Sequence, residues 1–194
     1  MSLRIEQDGR LRRITLAGVE KRNLLDAEGC ETLLQELREA AADPGTGAIL
    51  IDADGQVFCS GVEECKSAGE LFTIGARITK PIVAAVQGVA VSGALALLAT
   101  AHVVVVAQGT SFGLTDIRQG KWNDELMRAV SDAIGARRAL ELGLTGRIFS
   151  APEALAWGLV HEIAPAFELD DRATAIGNAL ANANPDAVRA ALRR

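Results

Sequence analysis

Cysteine, histidine and unbroken apolar stretches are what this chain has least of. Its three cysteines, Cys30, Cys59 and Cys65, form no CxxC pair, and His102 and His161 are its only imidazoles. That argues against a zinc site of the usual ligand spacing, and no metal is expected. The longest apolar run, between Pro81 and Leu98, is broken by Gln87, Gly88, Ser92 and Gly93. It is too interrupted for a bilayer span, so no membrane association is expected. No basic leader precedes an apolar core, and the expected compartment is the reducing cytoplasm. Positive charge is in deficit as well: 20 Lys and Arg face 25 Asp and Glu, a formal net charge of -5. That sign argues against a nucleic-acid partner or an anionic-membrane surface, while leaving room for a local basic pocket around a phosphorylated ligand.

What the chain does have is apolar mass. With 194 residues and 49% hydrophobic content, it fits a single domain, 1–194, with a substantial core. Leu3 to Gln7 and Leu11 to Leu16 read as strands joined at Asp8-Gly9, a dipeptide that tolerates the positive φ of a tight hairpin. Asp26 reads as an N-cap, and Leu33, Leu34, Leu37 and Ala41 recur at helical spacing until Asp43-Pro44-Gly45. Ala48 to Asp52 reads as a strand. Glu63 to Arg77 reads as a helix weakened by Gly69 and Gly75, each costing about 1 kcal/mol relative to alanine. Lys80 to Val86 and His102 to Ala107 predict two more strands, the latter buried on both faces. Helices are then expected to dominate, including Leu169 to Ala183 and Pro185 to Arg194. Ser150-Ala-Pro-Glu153 has the form of a capping box. Alternating strands and helices predict an α/β architecture.

Two segments point to chemistry. From Lys80 to Leu98 the chain passes from β-branched residues, through Gly88, to Ser92-Gly93-Ala94 and then to helix formers. This is a strand, a tight loop and a helix. Small residues let a ligand approach the backbone, and the first N–H groups of the helix lack intrahelical partners. Such groups hold an oxygen that becomes negative during a reaction. Taken alone, the pattern more often serves close helix packing than catalysis. A second glycine-bearing loop, Gln56-Val-Phe-Cys-Ser-Gly-Val-Glu63, follows the strand at Ala48 to Asp52, and the two loops are expected to face one pocket.

Several further motifs fall in order along the chain. They are Glu20-Lys-Arg-Asn-Leu-Leu-Asp26, Phe58-Cys-Ser-Gly-Val62, Lys80-Pro81 through Leu98, Ser111-Phe-Gly113, and Leu144-Thr-Gly-Arg-Ile-Phe-Ser-Ala-Pro-Glu-Ala154 followed by Trp157-Gly-Leu-Val160. With these the chain resembles the crotonase superfamily, the enoyl-CoA hydratase/isomerase group, from roughly residue 10 to residue 165. The resemblance implies a crotonase-like ββα superhelix, the ClpP/crotonase fold, over about 1–165. C-terminal helices, short for the family, are implied over about 166–194. It also implies an acyl-CoA substrate, a homotrimer or dimer of trimers, and no cofactor beyond the coenzyme A of the thioester. The segment between Gly61 and Lys80 is short for the family, which implies a reduced or more open pocket.

By motif position, the resemblance assigns two oxyanion donors to the backbone N–H groups of Val62 and Gly93. Val62 is bulkier than the usual residue, and Ser92 and Ala94 replace flanking glycines. Coenzyme A contacts fall to Lys21, Arg22, Leu24 and Gly61, the cations offsetting phosphate charge. Of the two family glutamates, one position falls on Ala96, which transfers no proton, and the other on Asp116. A single carboxylate resembles the family isomerases more than its two-glutamate hydratases. Asp124 and Glu125 offer further carboxylates, although Asp124 also reads as a plain N-cap. Trp122 is expected at the acyl pocket and Trp157 in helix packing. Cys59 reads as a small buried hydrophobe, and both histidines read as structural. The implied function is an acyl-CoA-binding enzyme of the enoyl-CoA hydratase/isomerase type that stabilises a thioester enolate. Two alternatives stay open: a thioesterase or decarboxylase using the same oxyanion hole, and a non-catalytic acyl-CoA-binding or assembly subunit.

Overall fold

Turn chemistry starts the fold. Strand β1 (Leu3–Asp8) pairs antiparallel with β2 (Leu11–Leu16) around Gly9, whose φ is +56°. The computed structural model describes residues 1–193. Helix α1 (Ala27–Ala42) is capped by Asp26, whose side chain accepts the Gly29 N–H at 2.9 Å, and it buries Leu33, Leu34, Leu37 and Ala40. The chain returns in β3 (Ala48–Ala53), parallel to β2. There follow α2 (Ala68–Leu71), β4 (Ile82–Val86), β5 (Val89–Val91), α3 (Gly93–Thr100), β6 (Val103–Ala107) and β7 (Ser111–Gly113). The remainder is α4 (Asp124–Ile134), α5 (Ala136–Thr145), β8 (Ile148–Ser150), α6 (Ala151–Ala156), β9 (Glu162–Ala164), α7 (Leu169–Ala181) and α8 (Pro185–Leu192).

The strands form two sheets. A six-stranded sheet runs β1-β2-β3-β4-β6-β9, parallel except for the first hairpin, and a three-stranded sheet runs β5-β7-β8. In the middle of the chain, successive passages lay a strand in the large sheet, a short strand in the small one, and then a helix. β4, β5 and α3 make one such turn, and β6, β7 and α4 make the next. An isolated parallel bridge between Cys59 and Ala90 gives the chain after β3 the same step before α2. The architecture is the expected ββα superhelix.

The central strands β3, β4 and β6 are buried on both faces because both faces are covered. One face packs Ile49, Ile82 and Val104 toward α1 and α3, and the other packs Leu50, Val83 and Val105 toward Ala173 and Ala181 of α7. Runs of β-branched residues in parallel strands are what such double coverage selects. The two histidines extend the ladder. His102 Nδ1 accepts the Ile82 N–H at 2.9 Å and His161 Nδ1 accepts the Val104 N–H at 3.0 Å. The capping box at Ser150 and Glu153 forms with both hydrogen bonds.

Three expectations need correction. The helix expected over Glu63 to Arg77 is reduced to α2 and a 3-10 turn at Ile74–Ala76. The reason is a competing contact: the Gly75 N–H bonds the Thr100 hydroxyl at 2.7 Å, and a Cβ at this position would clash with the Thr100 carbonyl. The short strands β7, β8 and β9 stand in the region assigned to helices, because three-residue strands carry too few positions to show a period. The last two helices end earlier than expected, at Ala181 and Leu192, and Arg194 lies outside the described residues.

Helix α7 is fastened to the sheet by Arg13. Its guanidinium reaches Asp52 at 2.9 Å, Asp170 at 2.6 Å and Thr174 at 2.6 Å. Burial is the largest influence on the Asp52 carboxyl and pushes it above the usual carboxylate range; the Thr15 hydroxyl and the Arg13 charge offset this only in part. A raised folded-state value means that this group's contribution to stability is fully present below the unfolded pKa and is lost as pH rises through the folded one. Asp52→Asn is therefore expected to raise the urea midpoint at pH 7 and to change it little near about pH 3. A lower midpoint at pH 7 would show that the Arg13 ion pair outweighs the burial.

Candidate active site

The site begins where two loops touch. Val62 forms an isolated parallel bridge with Leu25, in which the Leu25 N–H bonds Gly61 O at 3.1 Å and the Glu63 N–H bonds Leu25 O at 2.7 Å. In such a bridge alternate residues face the partner strand, so the N–H of Val62 itself turns away. Gly93 is the first residue of α3, where an N–H has no intrahelical acceptor. Among the described residues neither N–H has a hydrogen-bond partner. They are also close. An ideal Cβ on Gly93 would stand 2.5 Å from Val62 Cβ and 3.0 Å from Val62 N. Only glycine lets these two backbones approach so nearly.

The loop before α1 lines the same edge. The Ser60 N–H bonds Arg22 O at 3.1 Å, and the Leu24 side chain lies 3.6 Å from where a Gly61 Cβ would be. Arg22 and Asn23 both hold φ of +54°. Buried Asn23 pins the loop by donating from Nδ2 to Asp54 O at 2.9 Å and Val57 O at 2.7 Å. Lys21 and Arg22 are exposed, Lys21 Nζ lying 3.9 Å from the Asp26 carboxylate.

A third segment closes the other side. The Ser92 N–H bonds Gly113 O at 2.8 Å, and Ser92 Oγ lies 3.2 Å from Thr115 Oγ1. Next along the chain is Asp116, at the start of a 3-10 turn (Asp116–Gln119). Its Oδ2 is enclosed without a hydrogen-bond partner. Asp116 lines a cavity of about 10 Å³ with Leu114, Ile117, Trp122 and Met127, room for about one water. Thus Val62, Gly93, Gly61, Leu24, Lys21 and Arg22 gather at one edge, and Asp116 and Trp122 line the cavity. Ala96 is wholly buried in α3 and brings no acid.

A family model described as enoyl-CoA hydratase/isomerase matches residues 6–193. The chain belongs to this family. It is 29% identical to the (E)-benzylidenesuccinyl-CoA hydratase of Thauera aromatica over 98% of its own length and 80% of that protein. It is 30% identical to the mitochondrial enoyl-CoA hydratase domain-containing protein 3 of Danio rerio, covering 88% of the chain and spanning 64% of that relative. The crystal structure of carnitinyl-CoA hydratase from Mycobacterium avium superposes with a TM-score of 0.88 at 27% identity, over 98% of this chain and 79% of that one. These matches establish the crotonase fold.

In this family member several assigned side chains do not converge on the cavity. Asp124 is exposed and accepts the Trp122 indole N–H at 3.0 Å. It is not the N-cap of α4 either: Asn123 Oδ1 takes the Glu125 and Leu126 N–H groups at 3.0 and 2.9 Å, because its extended backbone sets the side chain over the first turn. The Glu125 carboxylate lies against Gly69 instead. Trp157 packs on Phe149 with centroids 5.1 Å apart and carries the Arg138 guanidinium 4.4 Å above its ring. Thr115 and Asn23 escaped the sequence reading. Neither residue type announces a tertiary hydrogen bond, although Asn is enriched at the positive φ that Asn23 adopts.

Cys59 is fully buried, its Sγ 3.1 Å from Gly61 O, and burial pushes its thiol up to about 11. Burial likewise raises the Cys30 thiol. Iodoacetamide at pH 8 is expected to modify half-buried Cys65 first and to leave Cys59 unmodified in the native protein, read by peptide mass mapping. Preferential labelling of Cys59 would show that the loop opens.

Proposed function

We propose that this protein binds an acyl-CoA thioester and stabilises its enolate, with Val62 and Gly93 as the oxyanion donors and Asp116 as the acid–base group. The observation that carries the reading is the pair of unpartnered N–H groups sharing one small space, with an enclosed, unpartnered carboxylate oxygen one residue from the Ser92–Thr115 contact. Negative charge developing on a thioester oxygen strengthens two preorganised hydrogen bonds, and donors of this kind contribute about 10²–10³ each. Asp116 then removes a proton beside the carbonyl and returns it further along the chain, shifting a double bond. Isomerisation fits better than hydration because Ala96 leaves no second carboxylate to orient water. Lys21 and Arg22 at the rim offset the phosphates of coenzyme A, and the chemistry calls for no cofactor beyond the thioester itself. In this reading the protein works in the cytoplasm.

Asp116→Asn nearly preserves size while removing the base. Enoyl-CoA isomerisation should fall by about 100-fold or more, while coenzyme A binding measured by calorimetry changes little. Unchanged turnover in a folded variant would remove Asp116 from the mechanism. A homotrimer or dimer of trimers is proposed as well. Leu140, Leu144 and Ile148 leave apolar surface exposed around α5 and β8, which assembly would cover. Light scattering is expected to give a trimer or hexamer mass at micromolar concentration, and a stable monomer would refute it.

A further inference from the structure

The backbone at Ser92 carries a feature that enolate chemistry leaves unused. Ser92 sits between strand β5 and helix α3 with φ +55° and ψ -123°, a conformation that glycine adopts freely and other residues rarely. Two residues to either side stand Ala90 and Ala94, both wholly buried, small enough for a sharp strand-to-helix turn. The N–H of the next residue, Gly93, is one unpartnered donor, and a second, Val62, comes from a separate loop. A serine on such an elbow, followed by its own oxyanion donor and faced by another, is the arrangement that serves nucleophilic acyl transfer. The histidines are engaged in the large sheet. The group beside Ser92 Oγ is the Thr115 hydroxyl, next in sequence to Asp116 with its enclosed, unpartnered Oδ2.

We propose that Ser92 is a nucleophile that accepts the acyl group of an acyl-CoA, giving this site a thioesterase-type activity. The inference rests on the acyl-thioester reading above. In the first step Ser92 Oγ bonds to the thioester carbonyl carbon and the C–S bond breaks, its electron pair leaving on sulfur. The hydroxyl proton is transferred to that sulfur, giving free coenzyme A thiol and an ester on Ser92. Water then adds to the ester carbon and the acyl–Oγ bond breaks, releasing a carboxylic acid and restoring the hydroxyl. The N–H groups of Val62 and Gly93 hold the carbonyl oxygen in both steps.

The full chain is mixed with acetyl-CoA in deuterated buffer. Thiol release, deuterium exchange at the acetyl methyl and acid-quenched peptide masses are followed together. Thiol release is expected, with an acetyl ester on the peptide containing Ser92. Release should fall by about 100-fold or more in Ser92→Gly and Ser92→Ala, whose folding is checked by thermal melting. Glycine suits the positive φ, so the first variant keeps the elbow. Unchanged release in either folded variant, or none above background in the unmodified protein, would overturn the proposal. Exchange without thiol release would overturn it while leaving the enolate reading standing; release without exchange would support Ser92 and count against the enolate.

Discussion

The close approach of Gly93 to Val62 is the contact on which the site depends. It brings an N–H at the start of a helix beside an N–H at the end of a bridged loop, and neither is consumed by secondary structure. Both loops hold their places because the strands before them are locked in a buried parallel ladder, β3 beside β4. The bridge between Cys59 and Ala90 repeats this pairing one step nearer the site. A side chain on Gly93 would separate the loops, so one missing methyl group sets the spacing of the two donors.

Around that contact the fold divides its polar groups by task. Arg13, Asn23 and the histidines satisfy backbone or carboxylate partners and hold elements together. Cys59 is fixed beside Gly61, and its raised pKa keeps it a thiol. One Asp116 carboxylate oxygen is enclosed without a hydrogen-bond partner, as are Asn23 Oδ1 and Asp52 Oδ1.

Ala96 and Ser92 alter the character of the same helix start. The first brings no acid, and the second adds a hydroxyl where backbone geometry favours glycine. A site with preorganised N–H donors supports more than one reaction of a thioester, because enolate formation and attack at the carbonyl place charge on the same oxygen. Which reaction proceeds depends on the side chains that surround the oxygen rather than on the donors.

The sequence by itself determined the elements whose signals are local. Asp8-Gly9 set the hairpin, Asp26 the start of α1, Ser150 and Glu153 the capping box, and β-branched runs the buried strands. The ordered motifs also marked Val62, Gly93 and Asp116 as candidates. Tertiary structure decided what depends on distant partners. Gly75 spends its N–H on Thr100 and shortens the expected helix, Asn123 takes the cap assigned to Asp124, and Asp124 turns to Trp122. The positive φ of Ser92 and its contact with Thr115 were likewise invisible beforehand. Local propensity is a property of neighbours along the chain, whereas an unpartnered donor or a strained serine exists only after the rest of the fold has closed around it.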